Sequence, residues 1–254
     1  MTKQGLEMTM TLFAVLEVYR EAGAHSAAMN MAIDEALLEY ATIPLIRFYR
    51  WQFPALSFGY FGRFTDVASH QRERDLVRRW TGGGIVFHGE DLTYSIVIPT
   101  SDMAFAESSL SIYEKIHRAL CDALSRTGQR AVVARVSSSA VALAKADGPG
   151  PSGATVTTRS GINDAGYSCF ANPVRADVMV DARKIAGAAQ RRTRRGLLQQ
   201  GSIQGIHLES DLAQRFAREL SKDRSERKID EEILNRAREL TEQKYGTESW
   251  LRKR

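Results

Sequence analysis

Cysteine is scarce in this chain: of 254 residues only Cys121 and Cys169 carry a thiol. The two could pair in principle, but a reducing compartment argues for free thiols. Long apolar runs are missing as well. Nothing approaches the roughly 18 consecutive apolar residues of a membrane span, and Met1-Thr2-Lys3-Gln4-Gly5 lacks the apolar core of a secretion signal. The expectation is a cytoplasmic protein with no membrane partner. The five histidines are scattered and none of them joins a cluster with zinc-ligand spacing, so no metal site is expected. No internal repeat or second domain is evident. With 43% hydrophobic and 26% charged residues, the chain suits one α/β domain over residues 1–254 with a sizeable core.

The net charge is +5, and its distribution matters more than its sum. Arg183, Lys184, Arg191, Arg192, Arg194 and Arg195 crowd into one short span. No aromatic interleaving or helix-turn-helix pattern accompanies them, so a solvated loop or a surface for an acidic protein is favoured over nucleic acid.

Periodicity supplies the elements. Ser26 caps a stripe of Met29, Ile33, Ala36, Leu37 and Tyr40 at helical spacing. Ile46 to Trp51 and Leu56 to Tyr60 read as two strands around Gln52-Phe53-Pro54, and Ile85 to His88 with Leu92 to Pro99 as a hairpin. Ser111 and Glu114 suggest a capping box for a helix through Ile116 and Leu120. Cys121, on that helix, reads as a small hydrophobe. Residues 146–161 form a Gly/Pro/Ser-rich stretch expected to be a flexible loop. Asp177 to Val180 and Lys184 to Ala186 flank Asp181-Ala182 as a short hairpin. Helices are expected over residues 210–250, the first capped by Ser210.

Chemistry gathers in two phrases. The first is Arg78-Arg79-Trp80-Thr81-Gly82-Gly83-Gly84-Ile85-Val86-Phe87-His88, continued by Asp91-Leu92-Thr93-Tyr94-Ser95. Fixed positive charge and bare backbone amides meet there, a setting for an anionic or carbonyl-bearing ligand, although glycines also serve plain tight turns. The second holds Ser168-Cys169-Phe170-Ala171-Asn172-Pro173, Lys184-Ile185-Ala186-Gly187-Ala188-Ala189-Gln190-Arg191-Arg192 and Leu198-Gln199-Gln200-Gly201-Ser202-Ile203.

The first phrase resembles the R-R-x-T/S-G-G-x-x-V-x-H and L-x-Y-S signature of the lipoate ligase, octanoyltransferase and biotin ligase superfamily. The second is similar to the S-C-F-x-x-P, K-I-x-G-S-A-Q-x-R and L-Q-H-G-S-I series of its cysteine-dependent octanoyltransferases. Asn30-Met31-Ala32-Ile33-Asp34-Glu35-Ala36 matches the family's first helix, so the likeness runs over about residues 10 to 210. It implies a single catalytic domain of biotin/lipoate ligase type, an α/β (α+β) fold of mixed β-sheets flanked by helices. Three departures stand out. Gly84 occupies a position where the octanoyltransferases often have arginine and the ligases often have glycine, Gln200 replaces the histidine of H-G-S, and Val174-Arg175-Ala176 departs from S-x-Y-E.

The resemblance implies an octanoyl group carried from acyl carrier protein to a lipoyl-domain lysine through a thioester on Cys169, with Lys184 lowering the pKa of that thiol. Acceptors of this kind are the glycine-cleavage H protein and the E2 subunits of 2-oxoacid dehydrogenases. Arg79, Gly82, Gly83, Gly84 and His88 are expected to line the substrate site, with amides near Gly187 and Ala188 facing the oxyanion. His88 reads equally as a catalytic group or as a hydrogen-bonded strand residue. Such a transferase needs no cofactor. The alternative is a lipoate-protein ligase, which uses ATP and Mg to activate free lipoate and would leave Cys169 incidental. Only about 50 residues follow Ile203, too few for a ligase's accessory domain.

Overall fold

A computed structural model describes residues 11–21, 23–126, 128–135 and 173–253. Its strands are β1 (Val15–Arg20), β2 (Leu45–Tyr49), β3 (Ala55–Phe58), β4 (Asp75–Arg78), β5 (Val86–His88), β6 (Leu92–Pro99), β7 (Ala131–Val133), β8 (Val178–Val180), β9 (Arg183–Arg192), β10 (Gly196–Ile203) and β11 (Asp223–Arg227). The helices are α1 (Ala27–Tyr40), α2 (Ser109–Ser125), α3 (Leu212–Leu220), α4 (Glu231–Leu240) and α5 (Glu248–Leu251). Eight strands form a mixed sheet in the order β11-β1-β2-β6-β10-β9-β8-β7, and β4-β3-β5 form a smaller one. None of the described helices is long and apolar enough to cross a membrane.

Side-chain alternation along the central strands sorts residues onto two faces. On β6, Tyr94, Ile96 and Ile98 face a core closed by α2 and α3, with Ile112, Ile116, Leu120 and Phe216. Val97 faces the opposite way, into a second core closed by α1 and α4, with Met31, Ile33, Leu37, Ile233 and Leu240. The helix α1 starts where the serine dictates, since Ser26 Oγ accepts from the Met29 amide at 3.3 Å.

The buried face of α1 is partly polar. Arg47 on β2 donates to Asp34 Oδ1 at 2.7 Å, to Asn30 Oδ1 at 2.7 Å, and to both carboxylate oxygens of Glu21. Neither Arg47 nor Asp34 is exposed to solvent. Arg47→Leu strands these carboxylates and is expected to cost about 3–5 kcal/mol, measurable as a lower urea midpoint at an unchanged slope.

Several expectations need correction. The segment from Val86 to Pro99 is not a hairpin, because both edges of β6 are taken by β2 and β10 and β5 pairs instead with β3. The two strands around Phe53 likewise belong to different sheets. The cap of α2 is Ser108, whose Oγ accepts from the Ser111 amide at 3.1 Å, and Ser111 Oγ turns instead to Glu107. Asp211, not Ser210, precedes α3. Residues 210–250 are not all helical: β11 lies inside that span, every residue exposed, paired in parallel with β1. A charged strand held at a sheet edge by backbone bonds has no apolar alternation to announce it. The hairpin of β8 and β9 forms around Asp181-Ala182, both at positive φ as a two-residue mirror-image turn requires. The 146–161 segment lies outside the described residues.

Candidate active site

A cavity of about 280 Å³ opens between the central sheet, the small sheet and α1. That is near the lower bound of small-molecule sites, about 300–1,000 Å³, and suits a single narrow chain. Its wall includes Arg79, Gly83, Gly84, His88, Lys184, Gly187 and Ala188, together with Met31, Tyr49, Trp51, Ser57, Val174, Asp177 and Gln200. Two segments more than 80 residues apart in sequence therefore meet in one place. Cys169 lies outside the described residues.

The wall is built by strand irregularity. Opposite β8, the register of β9 slips by one between Lys184 and Ala186, so a β-bulge brings the Lys184 side chain over to the face carrying Gly187. Lys184 Nζ sits 2.8 Å from Asp177 Oδ2, with the lysine side chain 5% exposed and the aspartate fully buried. Asp177 accepts two more bonds, from Tyr113 Oη at 2.6 Å and from the Val174 amide at 2.7 Å. Gly187 makes the arrangement possible. A Cβ there would stand 2.6 Å from Lys184 Cε and 2.7 Å from Nζ, so only glycine leaves room for the ammonium-bearing arm. The amide of Ala188 donates to Tyr113 Oη at 3.0 Å, which engages it in holding the wall.

The glycine run forms the opposite wall. Gly83 adopts φ 82°, a conformation glycine takes without strain. Arg79 closes the turn by donating to the carbonyls of Gly82 and Gly84 at 3.0 and 2.8 Å, and it also reaches Ser57 Oγ at 2.6 Å. Gly82 contributes to this turn without itself lining the cavity. Arg78 faces away. Its guanidinium donates to the carbonyls of Tyr60, Gly62, Trp250, Leu251 and Lys253, pinning α5 and the residues after it to the small sheet.

His88 is buried, with Nε2 2.7 Å from Ser57 Oγ and Nδ1 2.8 Å from Asp91 Oδ2, and its ring stacks on Trp51 at 4.0 Å. Burial lowers its pKa below the ordinary histidine value, against the raising pull of Asp91. Asp91 also accepts from Thr93, Ser202 and the Gly89 amide. Despite its burial, the bonds from His88, Ser202 and Thr93 bring its pKa down to about 2. Both ring nitrogens are thus engaged by side chains, and the residue lines the cavity. Gln200 links Thr81 Oγ1 to Asp34 Oδ2, each at 2.7 Å, and so ties the glycine phrase to α1. Sequence reading missed Asp177, Tyr113 and Ser57, because each acts through a neighbour from another segment and none stands in a contiguous motif, whereas Asp91 stands within the first phrase but carries no role there. Among the described residues, no group of three or more His, Cys, Asp or Glu is placed to hold a metal ion.

The sequence profile of the lipoyl protein ligase A/B catalytic domain matches residues 26–245, across both walls of this cavity. The chain belongs to that family. Over 194 residues it is 34% identical to the octanoyltransferase LipM of Bacillus cereus, covering 73% of this chain and 64% of that protein. Over 193 residues it is 35% identical to the octanoyltransferase LipM of Oceanobacillus iheyensis, covering 73% and 62%. The chain thus spans a little under two thirds of the length of these relatives. Among solved structures, a lipoate-protein ligase A bound with ATP superposes with a TM-score of 0.68 at 23% identity, covering 94% of this chain and 98% of the other. A structure of the bi-partite lipoate protein ligase and E2 lipoyl domain of Thermoplasma acidophilum gives 0.65 at 20% identity, covering 94% and 96%. The fold is therefore that of the lipoate ligase catalytic domain, as the family's motifs imply.

Proposed function

We propose that this chain is an octanoyltransferase of protein lipoylation, moving an octanoyl group from acyl carrier protein to a lipoyl-domain lysine through a thioester on Cys169. The observation that carries the reading is the Lys184–Asp177 pair set in the wall of a narrow cavity. Val174, five residues after Cys169, lines the same cavity. In the first step the Cys169 thiolate attacks the donor thioester, the acyl–sulfur bond of the carrier breaks, and the carrier leaves as a thiolate that takes a proton from water, a proton balanced by the one the acceptor amine gives up in the second step. In the second the acceptor amine attacks the enzyme thioester, an amide forms, and the Cys169 thiolate is released. A lysine ammonium beside the reacting carbonyl favours both the thiolate and the oxyanion of each tetrahedral intermediate. Asp177, anchored by Tyr113, fixes where that ammonium points.

The test is incubation with octanoyl carrier protein in the absence of ATP, followed by intact-mass measurement. One octanoyl mass labile to hydroxylamine is expected, lost in Cys169→Ser and kept in Cys121→Ser. Cys121 is buried in α2 and burial pushes its thiol up to about 12, which suits it to packing rather than nucleophilic attack. An enzyme that stays unmodified and lipoylates an acceptor only with ATP and Mg would make the ligase reading the correct one.

Gly187→Ala provides an independent check. Its methyl group displaces the flexible end of Lys184 rather than backbone. Transfer is expected to fall by roughly 10²-fold, the scale of a misplaced catalytic group, while the thermal midpoint moves by only a few degrees. Unchanged turnover would mean that the lysine position is not critical.

A further inference from the structure

Beyond the cavity, on the face of β9 that bears Gly187 and Ala189, lies Arg191. Its guanidinium carbon sits 4.5 Å over the Trp80 ring and 5.0 Å over that of Tyr60. Lys244 Nζ lies 4.3 Å over the same Trp80 ring and 4.5 Å over Trp250, and Lys253 Nζ lies 5.0 Å over Trp250 and 4.8 Å over Tyr60. Each of three rings is shared by two cations, so the three positive charges are held close together. Among the described residues the one carboxylate paired with them is Glu35, 2.5 Å from Lys244. Like charges at such spacing repel, and Lys244 has its pKa lowered by burial, with Arg191 and Lys253 adding to the effect. Arg191 Nε is buried without a hydrogen-bond partner.

We propose that Arg191, Lys244 and Lys253 form a binding site for a phosphate group, and that its occupant is the phosphate of the pantetheine arm that presents the acyl thioester. The assignment of the arm rests on the transferase reading. Three converging cations with one counter-charge favour an oxyanion, here the singly charged phosphodiester that joins the arm to its carrier, which the fork of an arginine and two lysine point charges recognise together. The rings hold the cations in place, and although Arg191 donates to the Trp80 carbonyl at 3.1 Å, Lys253 to Tyr60 Oη at 2.8 Å and Lys244 to Glu35, each head group carries more hydrogens than these bonds use. The distance is also suitable. Four residues of strand separate Gly187 from Arg191, roughly 13 Å, the scale of a pantetheine arm stretched from a thioester in the cavity to its phosphate. Trp80 stands next to Arg79, so the site adjoins the cavity wall without sharing its residues.

The test is calorimetric binding of phosphopantetheine and of pantetheine, neither carrying an acyl group, to the full chain. In the wild type the phosphorylated ligand is expected to bind at least tenfold more tightly, and inorganic phosphate to compete with it. In the Arg191→Gln/Lys253→Gln double variant the two affinities converge. Lys253→Gln alone changes an exposed side chain and is expected to lose part of the difference, which covers the case of a double variant that folds poorly. Equal affinity of the wild type for the two ligands would overturn the site. Because no acyl transfer is read, failure here is separate from failure of the transferase reading, which the mass measurement decides.

Discussion

Lys184→Met is expected to reduce acyl transfer by roughly 10³-fold, the scale of losing one preorganised electrostatic donor, and to destabilise the fold as well. The second effect arises because Asp177 is fully buried. Without the ammonium, its charge retains, among the described residues, Tyr113 Oη and the Val174 amide. Breaking a buried pair by removing one partner costs about 3–5 kcal/mol. Adding Asp177→Asn removes the stranded charge while an amide of the same shape still accepts from Tyr113. The double variant is therefore expected to recover most of the lost stability by urea denaturation and none of the lost transfer. That split distinguishes chemistry from scaffolding. If transfer returned together with stability, Lys184 would be a structural residue, and the acyl chemistry would have to be assigned to other groups of the cavity wall.

Much of this site was legible in the sequence because its parts are local. Arg79 with Gly82 to Gly84, and Lys184 with Gly187 and Ala188, each stand within one short phrase, and of these Arg79, Gly83, Gly84, Lys184, Gly187 and Ala188 line the cavity. The helix starts at Ser26 and the turn at Asp181-Ala182 were legible for the same reason. What was hidden is relational. In the sequence Asp177 reads as the start of a strand, and only the packing of α2 against the sheet shows that Tyr113 aims it at Lys184. Ser57 looks like an ordinary strand polar residue until the small sheet brings it against His88, and Asp91, though part of the first phrase, declares its bond to the His88 ring only in the fold. The strands β1, β4, β7 and β11 escaped because they are short or charged, and pairing with a neighbour defines them. The β5–β6 hairpin failed on competition: nearness in sequence favoured it, but β2 and β10 take both edges of β6.

Acid is expected to destabilise the protein well before its carboxylates titrate, and His117 is the main reason. It lies on α2 with no solvent exposure, Nδ1 2.6 Å from the Ala176 carbonyl and Nε2 3.0 Å from Tyr94 Oη. Burial lowers its pKa to about 4, outweighing the raising pull of the carbonyl and of Asp177. An unfolded histidine titrates near ~6.5, so below that pH the unfolded chain binds a proton that the folded chain refuses. Stability from this residue is complete above pH 6.5 and falls as the pH drops towards 4, by about 3 kcal/mol across the window. His88, its pKa also lowered by burial, contributes with the same sign. Asp91 and Glu21, with pKa values of about 2, extend the loss to lower pH, because their stabilising charge disappears as each is protonated. Urea midpoints between pH 7.5 and 4.5 measure the slope, and His117→Gln is expected to flatten it whatever its effect at neutral pH. A histidine proton resonance from His117 that titrates near pH 6.5 in the folded protein would remove the basis for this expectation. Transfer assayed briefly at pH 5.5, before unfolding, would then separate loss of fold from loss of chemistry, since the Lys184–Asp177 pair has no histidine as a member.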